Sequence, residues 1–253
     1  MTTEPRSLLE AQSISVDVVV PRAEKPLRVV DRASLSIWPG VSYAISGRSG
    51  SGKTSLLSVL GLLNTNYGGS LRVDGVDVSG LPDRDLAVLR ARSFGFVFQN
   101  YSLVPHLTAL ANVVLPCAYA RLGRVAALAN ARQSLSDVGL AGKMAAKPVQ
   151  LSGGEQQRVA IARAMAAHPR VVLADEPTGA LDTETGEAVM RALLERVGES
   201  GTALVVVTHD SDVAAHCQQQ YVMERGTLSR ADSVSSIPTR ARRALPFPDE
   251  TLL

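Results

Sequence analysis

The chain is poor in aromatics and cysteine, nearly neutral, and without a long apolar run. Each shortage excludes something. Aromatic residues make up 4% of the 253, and none occurs from residue 1 to 37. Aliphatic side chains must fill the interior instead. The overall hydrophobic share of 45% suffices for a full core, in one domain or a domain with a subdomain. Cys117 and Cys217 stand far apart with no metal-ligand or redox spacing. That leaves two buried thiols in a reducing compartment. The runs "ALVVVT" and "VVLA" are far shorter than the ~20 residues of a membrane-spanning helix and read as buried strands. The opening "MTTEPRSLLEAQS" has no apolar segment of the signal-peptide kind. A net charge of +2 supplies no whole-molecule field for nucleic acid, so no nucleic-acid partner is expected. Any work at a membrane requires a partner that holds the chain there.

What is present is an alternation of short apolar runs with helical patterns, the mark of an α/β fold with a mostly parallel sheet. "VSYAIS" (41–46), "FGFVFQ" (94–99), "VVLAD" (171–175) and "ALVVVT" (203–208) read as core strands, and "KTSLLSVLGLL" (53–63) as a helix. "SISVDVVV" (13–20), "ASLSIWPG" (33–40) and "SLRVDG" (70–75) suggest a small antiparallel layer beside the main sheet. An Ala/Leu-rich stretch at about 100–167 reads as an inserted helical subdomain. One domain is expected over 1–230. From 231 to 253 periodicity fails, and a flexible tail with Arg240, Arg242 and Arg243 is expected.

"GRSGSGKT" (47–54) fits the phosphate-binding loop pattern at every position, after a strand and before a helix. Gly47, Gly50 and Gly52 let the backbone approach phosphate oxygens, and Arg48, Ser49 and Ser51 complete the loop. Lys53 can neutralise β- and γ-phosphates, and the Thr54 hydroxyl can ligate Mg²⁺. In "VVLADEP", Asp175 and Glu176 end a buried strand at the mouth of the sheet. Asp175 is expected to hold Mg²⁺ and Glu176 to polarise a water for attack on the γ-phosphate. His209, closing "VVVTH", is expected at the γ-phosphate. Gln99, closing "FGFVFQ", is expected to ligate Mg²⁺ or accept from the attacking water.

"LSGGEQQR" (151–158) poses a question. Its glycines after a serine look like a phosphate-cradling helix N-terminus, yet it has no lysine. The order of "GRSGSGKT", Gln99, "LSGGEQQR", "VVLADEP", "GALD" (179–182) and His209 resembles the nucleotide-binding subunit of ABC transporters over roughly residues 10–228. The resemblance implies an answer. Two cassettes pack head to tail, so that Ser152, Gly153, Gly154 and Glu155 close over the ATP held by the partner, with Asp182 at the same interface. It also implies ATP and Mg²⁺ as cofactors, a second ATPase subunit, integral-membrane permease subunits, and a peripheral place on the cytoplasmic face of the membrane. "FGFVFQNYSLVPHLTALANVVLP" (94–116) and "ADEPTGALDTETG" (174–186) resemble the macrolide-exporter and lipoprotein-releasing branch. That implies an ATPase powering export. The alternatives are mechanical regulation of an extracytoplasmic partner, or import. Leu103, Val104, Pro105, Leu107 and Leu110 are then expected to form a groove for a permease helix. The chain departs from the family near Val18, where no aromatic is available to stack on adenine, and in "NTNYGGS" (64–70) and "HCQQQYVMERG" (216–226).

Overall fold

The computed structural model describes residues 6–19, 21, 25–179 and 181–231. The expected tail, apart from Ala231, lies outside them. The chain starts with β1 (Leu9–Val18), β2 (Leu27–Ile37) and β3 (Ser42–Ser46), followed by α1 (Lys53–Leu60). A hairpin of β4 (Gly68–Val73) and β5 (Val76–Asp77) precedes α2 (Asp83–Ser93) and β6 (Phe94–Phe98). Then come α3 (Ala109–Tyr119), α4 (Arg124–Asp137) and α5 (Gly153–Met165). β7 (Val171–Asp175), α6 (Thr183–Ser200), β8 (Ala203–Thr208), α7 (Ser211–Ala215), β9 (Gln219–Glu224) and β10 (Thr227–Arg230) complete it.

The strands form two sheets. One is antiparallel, in the order β2-β1-β4-β5; the other runs β10-β9-β3-β8-β7-β6, with β9, β3, β8, β7 and β6 parallel. β8 is buried at all six positions, as expected of a Val-rich strand covered on both faces. The two first strands begin earlier than the apolar pattern indicates, at Leu9 and Leu27. Their pairing runs from Leu9↔Ile37 to Val18↔Leu27, through irregularities near Ser13 and Arg32, whose φ values are +52° and +49°. Long-range pairing, not local alternation, decides those boundaries. α1 stops at Leu60, short of residue 63. A Cβ at Gly61 would come within 2.6 Å of Phe96 and 2.8 Å of Leu173, so the chain turns there against β6 and β7. The β9–β10 hairpin is not among the strands read from the sequence, because neither strand shows a clean alternation.

Between β6 and β7 the helices α3, α4 and α5 share a core that has no aromatic among the described residues and includes Val113, Cys117, Ala131, Leu135, Val159 and Ala162. The buried Asn112 pins the loop before α3. Its Oδ1 accepts from the Val104 amide at 2.7 Å, and its Nδ2 donates to the carbonyls of Val104, Leu107 and Thr108. Leu103 and Leu110 pack partly into this core, while Pro105 stays exposed. Cys117 and Cys217 are free and buried. Burial pushes the Cys217 thiol up to about 12, so it is unreactive at neutral pH. No described helix is long and apolar enough to cross a membrane.

Candidate nucleotide-binding site

The parallel register brings the chemistry together. Ser46 pairs with Thr208, Asp175 with Val207, and Phe98 with Asp175, so four strands end at one edge. The next residues along the chain are Gly47, His209, Glu176 and Gln99. An open cavity of about 930 Å³ at this edge is lined by Gly47, Arg48, Ser49, Gly50, Gly52, Lys53, Thr54, Gln99, Asp175, Glu176 and His209.

The loop before α1 is built for close approach. A Cβ at Gly47 would overlap the Met223 carbonyl oxygen, and one at Gly52 would overlap that of Val29. Only glycine fits either place. Lys53 is 6% exposed; its Nζ donates to the carbonyls of Gly47 at 2.7 Å and Arg48 at 3.1 Å, which fixes the ammonium over the loop. Ser51 is buried behind the lining of the cavity, and its hydroxyl has no hydrogen-bond partner among the described residues. A glycine cradle, a held ammonium and an orphaned hydroxyl fit a polyphosphate. No aromatic residue lines the cavity among the described residues; Val29 does.

Beside the loop, the Thr54 hydroxyl donates to Asp175 Oδ1 at 3.3 Å. Burial holds the Asp175 carboxyl above the usual range, against the downward pull of that hydrogen bond. A hydroxyl and a partly desolvated carboxylate side by side are a hard-oxygen donor set that suits Mg²⁺. Glu176 sits in the left-handed region, φ +48°, a conformation a non-glycine residue adopts at a cost. The turn aims its carboxylate along β8. Oε2 accepts from the Thr208 hydroxyl at 3.2 Å, and Oε1 lies 2.9 Å from His209 Nδ1. The two residues expected at the γ-phosphate thus hold one another. A Cβ at Gly179 would lie 3.1 Å from Gln99 Nε2, so Gln99 faces the turn that follows Glu176.

The segment 152–155 is elsewhere. None of its residues, nor Asp182, lines the cavity. Ser152 caps α5 by accepting from the Glu155 amide at 3.2 Å, and Glu155 returns the contact by accepting from the Ser152 amide at 2.9 Å. Glu155, expected as a nucleotide contact, caps its own helix here. Asp182 caps α6 through the Thr185 amide, 3.0 Å, and hydroxyl, 2.8 Å. A Cβ at Gly154 would lie 2.6 Å from Thr185, so both helix N-termini share one surface away from the chain's own loop. Thr208, Tyr101, Arg163 and Gln157 do not stand out in the sequence as site residues. Thr208 alone leaves a signal there, as a polar residue ending an otherwise apolar strand.

Similarity to known proteins agrees with this geometry. A family model described as ABC transporter matches residues 30–179. The macrolide export ATP-binding/permease protein MacB of Rhodospirillum rubrum is 43% identical over 248 residues, 98% of this chain and 38% of that protein. The chain therefore spans little more than a third of that relative. The lipoprotein-releasing system ATP-binding protein LolD of Bordetella pertussis is 48% identical over 202 residues, covering 80% of this chain and 87% of LolD. The dimeric structure of MJ0796, a bacterial ABC transporter cassette, superposes with a TM-score of 0.82 at 35% identity, over 90% of this chain and all of that one. A second dimeric structure of MJ0796, in a post-hydrolysis state bound to ADP and Pi, superposes equally well. With the loop, the acidic strand end and the serine-capped helix that opens on Gly153 and Gly154 all in place, the chain belongs to the ABC transporter family, as an ATP-binding cassette.

Proposed function

We propose that the chain hydrolyses ATP and, as a head-to-tail pair of cassettes, powers export through a permease at the cytoplasmic face of a membrane. The observation that carries the reading is the meeting of Lys53, Thr54, Asp175, Glu176, Gln99 and His209 at one sheet edge, all lining one cavity. Amides of residues 47–52 and the Lys53 ammonium would bind the phosphates. Thr54 and Asp175, with Gln99, would hold Mg²⁺, which when bound neutralises charge on the β- and γ-phosphates. Glu176 would take the proton of a water as its oxygen bonds to the γ-phosphorus. The bond from that phosphorus to the bridging oxygen breaks, and ADP and phosphate result. Thr208 and His209 hold the Glu176 carboxylate in place.

The surface carrying Ser152, Gly153, Gly154 and Asp182 supports the pairing, since it lies away from the chain's own cavity and presents two capped helix N-termini. Export is supported by the names of MacB and LolD. Glu176→Gln is expected to keep ATP binding, lower turnover by about 10²–10⁴-fold and hold the pair closed. Turnover near that of the native chain rejects Glu176 as the base. Tagged Glu176→Gln protein, purified from membranes with ATP and Mg²⁺, tests the partner. A permease with a large extracytoplasmic domain supports export or mechanical regulation, and an importer-type permease with a solute-binding protein overturns both.

A further inference from the structure

α5 touches the loop of Gln99 at both of its ends. Near its N-terminus, a Cβ on Gly153 would lie 2.9 Å from the Tyr101 hydroxyl oxygen, so the tyrosine tip rests over the glycine. Near its C-terminus, Arg163 spreads its guanidinium over two successive carbonyls of the same loop. Nη1 donates to Ser102 at 2.5 Å and Nη2 to Tyr101 at 2.9 Å. Burial lowers the pKa of that guanidinium, yet the group retains both partners, as a planar fork does and a point charge does not.

The loop it grips is tight. Tyr101 and Ser102 both have positive φ, +59° and +47°, two successive non-glycine residues in the left-handed region. The Tyr101 amide donates to the Phe98 carbonyl at 3.0 Å, spanning Gln99 in a closed turn. A shift of Tyr101 therefore carries Gln99 with it. The lower end of α5 has no freedom to follow. A Cβ on Gly95 would overlap the Ala164 carbonyl oxygen, so helix backbone and β6 backbone are in direct contact there. From that contact to Gly153 the helix is a lever of about 16 Å. Gln157, midway and buried, donates to the Pro177 carbonyl at 2.5 Å and so joins the same lever to the turn after Glu176.

We infer that Tyr101 and Arg163 are positioning residues that couple the Ser152–Gly154 surface to Gln99 within one chain. The inference rests on the proposed pairing, in which that surface docks on the partner's nucleotide. Docking there presses on the Tyr101 tip, Arg163 keeps the turn from yielding, and Gln99 is set against the chain's own nucleotide. Each site in the pair then reports its occupancy to the other, and hydrolysis is cooperative in ATP.

The test compares Tyr101→Phe and Arg163→Lys with the native full chain. It measures steady-state hydrolysis against ATP concentration, fluorescent ATP-analogue binding to the monomer, and ATP-driven dimer formation in a Glu176→Gln background. The expected result is a Hill coefficient above one for the native chain, falling toward one in both variants. The maximal rate is expected to drop about ten- to a hundredfold, the scale of a small misplacement of a catalytic group. Analogue binding and dimer formation should stay native. Tyr101→Phe leaves the carbonyls and Arg163 in place, so its result decides the matter if Arg163→Lys proves unstable on heating. A Hill coefficient of one for the native chain, native cooperativity in Tyr101→Phe, or loss of monomer binding in it each overturns the inference. Absence of an ATP-driven dimer with Glu176→Gln alone overturns the pairing itself and the inference with it.

Discussion

Single residues in this chain are poised between opposing effects, and Asp74 shows which one wins. Its carboxylate is paired with Arg170 at 2.6 Å, which joins the β4–β5 turn to the start of β7. Burial nonetheless holds its pKa above the ordinary value, outweighing the pull of Arg170. A raised carboxylate pKa means that ionisation costs the folded chain more than the unfolded one. Stability from this group is full below the unfolded value of about 4 and is lost as pH rises through the folded value. Asp74→Asn, which also tolerates the residue's φ of +51°, should therefore fare better relative to the native chain at pH 7 than at pH 3. Calorimetric Tm values across that range check it. A variant whose relative Tm falls as pH rises would show that the ion pair outweighs burial. Glu176 illustrates a different limit. "ADEP" points to its chemistry, whereas its left-handed backbone and its hold on His209 come from the return of β8 alongside β7.

Elements are placed by a few contacts that no local pattern announces. α5 lies so close to β6 that Gly95 has no room for a side chain, because the Ala164 carbonyl already occupies the place of a methyl group. Backbone is in the way on the helix side, so Gly95→Ala must move α5 or β6. It should cost about 1–3 kcal/mol, the range of an overpacked core, and lower Tm by several degrees. Urea unfolding with an unchanged m-value measures it, and a loss under ~0.5 kcal/mol would mean that the helix is free to shift. The capping box of Ser152 and Glu155 is the opposite case. S-x-x-E at a helix start is readable from spacing alone, yet the family resemblance assigns Glu155 to nucleotide. The structure shows the Glu155 carboxylate engaged by the Ser152 amide, at the start of its own helix.

At the scale of the whole molecule, the Ser152 surface lies outside the chain's own cavity, and in the proposed pairing closure belongs to two chains together. Ser152→Arg should leave monomer nucleotide binding intact while blocking ATP-driven dimerisation. Analogue titration and light scattering read the two separately. Loss of monomer binding would reject the pairing, because the substituted residue lies outside the chain's own cavity.

The sequence by itself determined the inventory. It carried the α/β class, the loop and its lysine, the two carboxylates at a strand end, the histidine at another and the serine followed by two glycines at a helix start. Each of these is a local pattern whose chemistry follows from residue type and spacing. Tertiary structure decided the rest. Parallel register set four strand ends level, so residues far apart in the chain line one cavity. Pairing across the antiparallel sheet moved two strand starts to Leu9 and Leu27. The links from α5 to the Gln99 loop, through Tyr101 and Arg163, arise where one helix crosses one strand end. No spacing encodes such a crossing, because it depends on how closely two backbones approach once the core has packed.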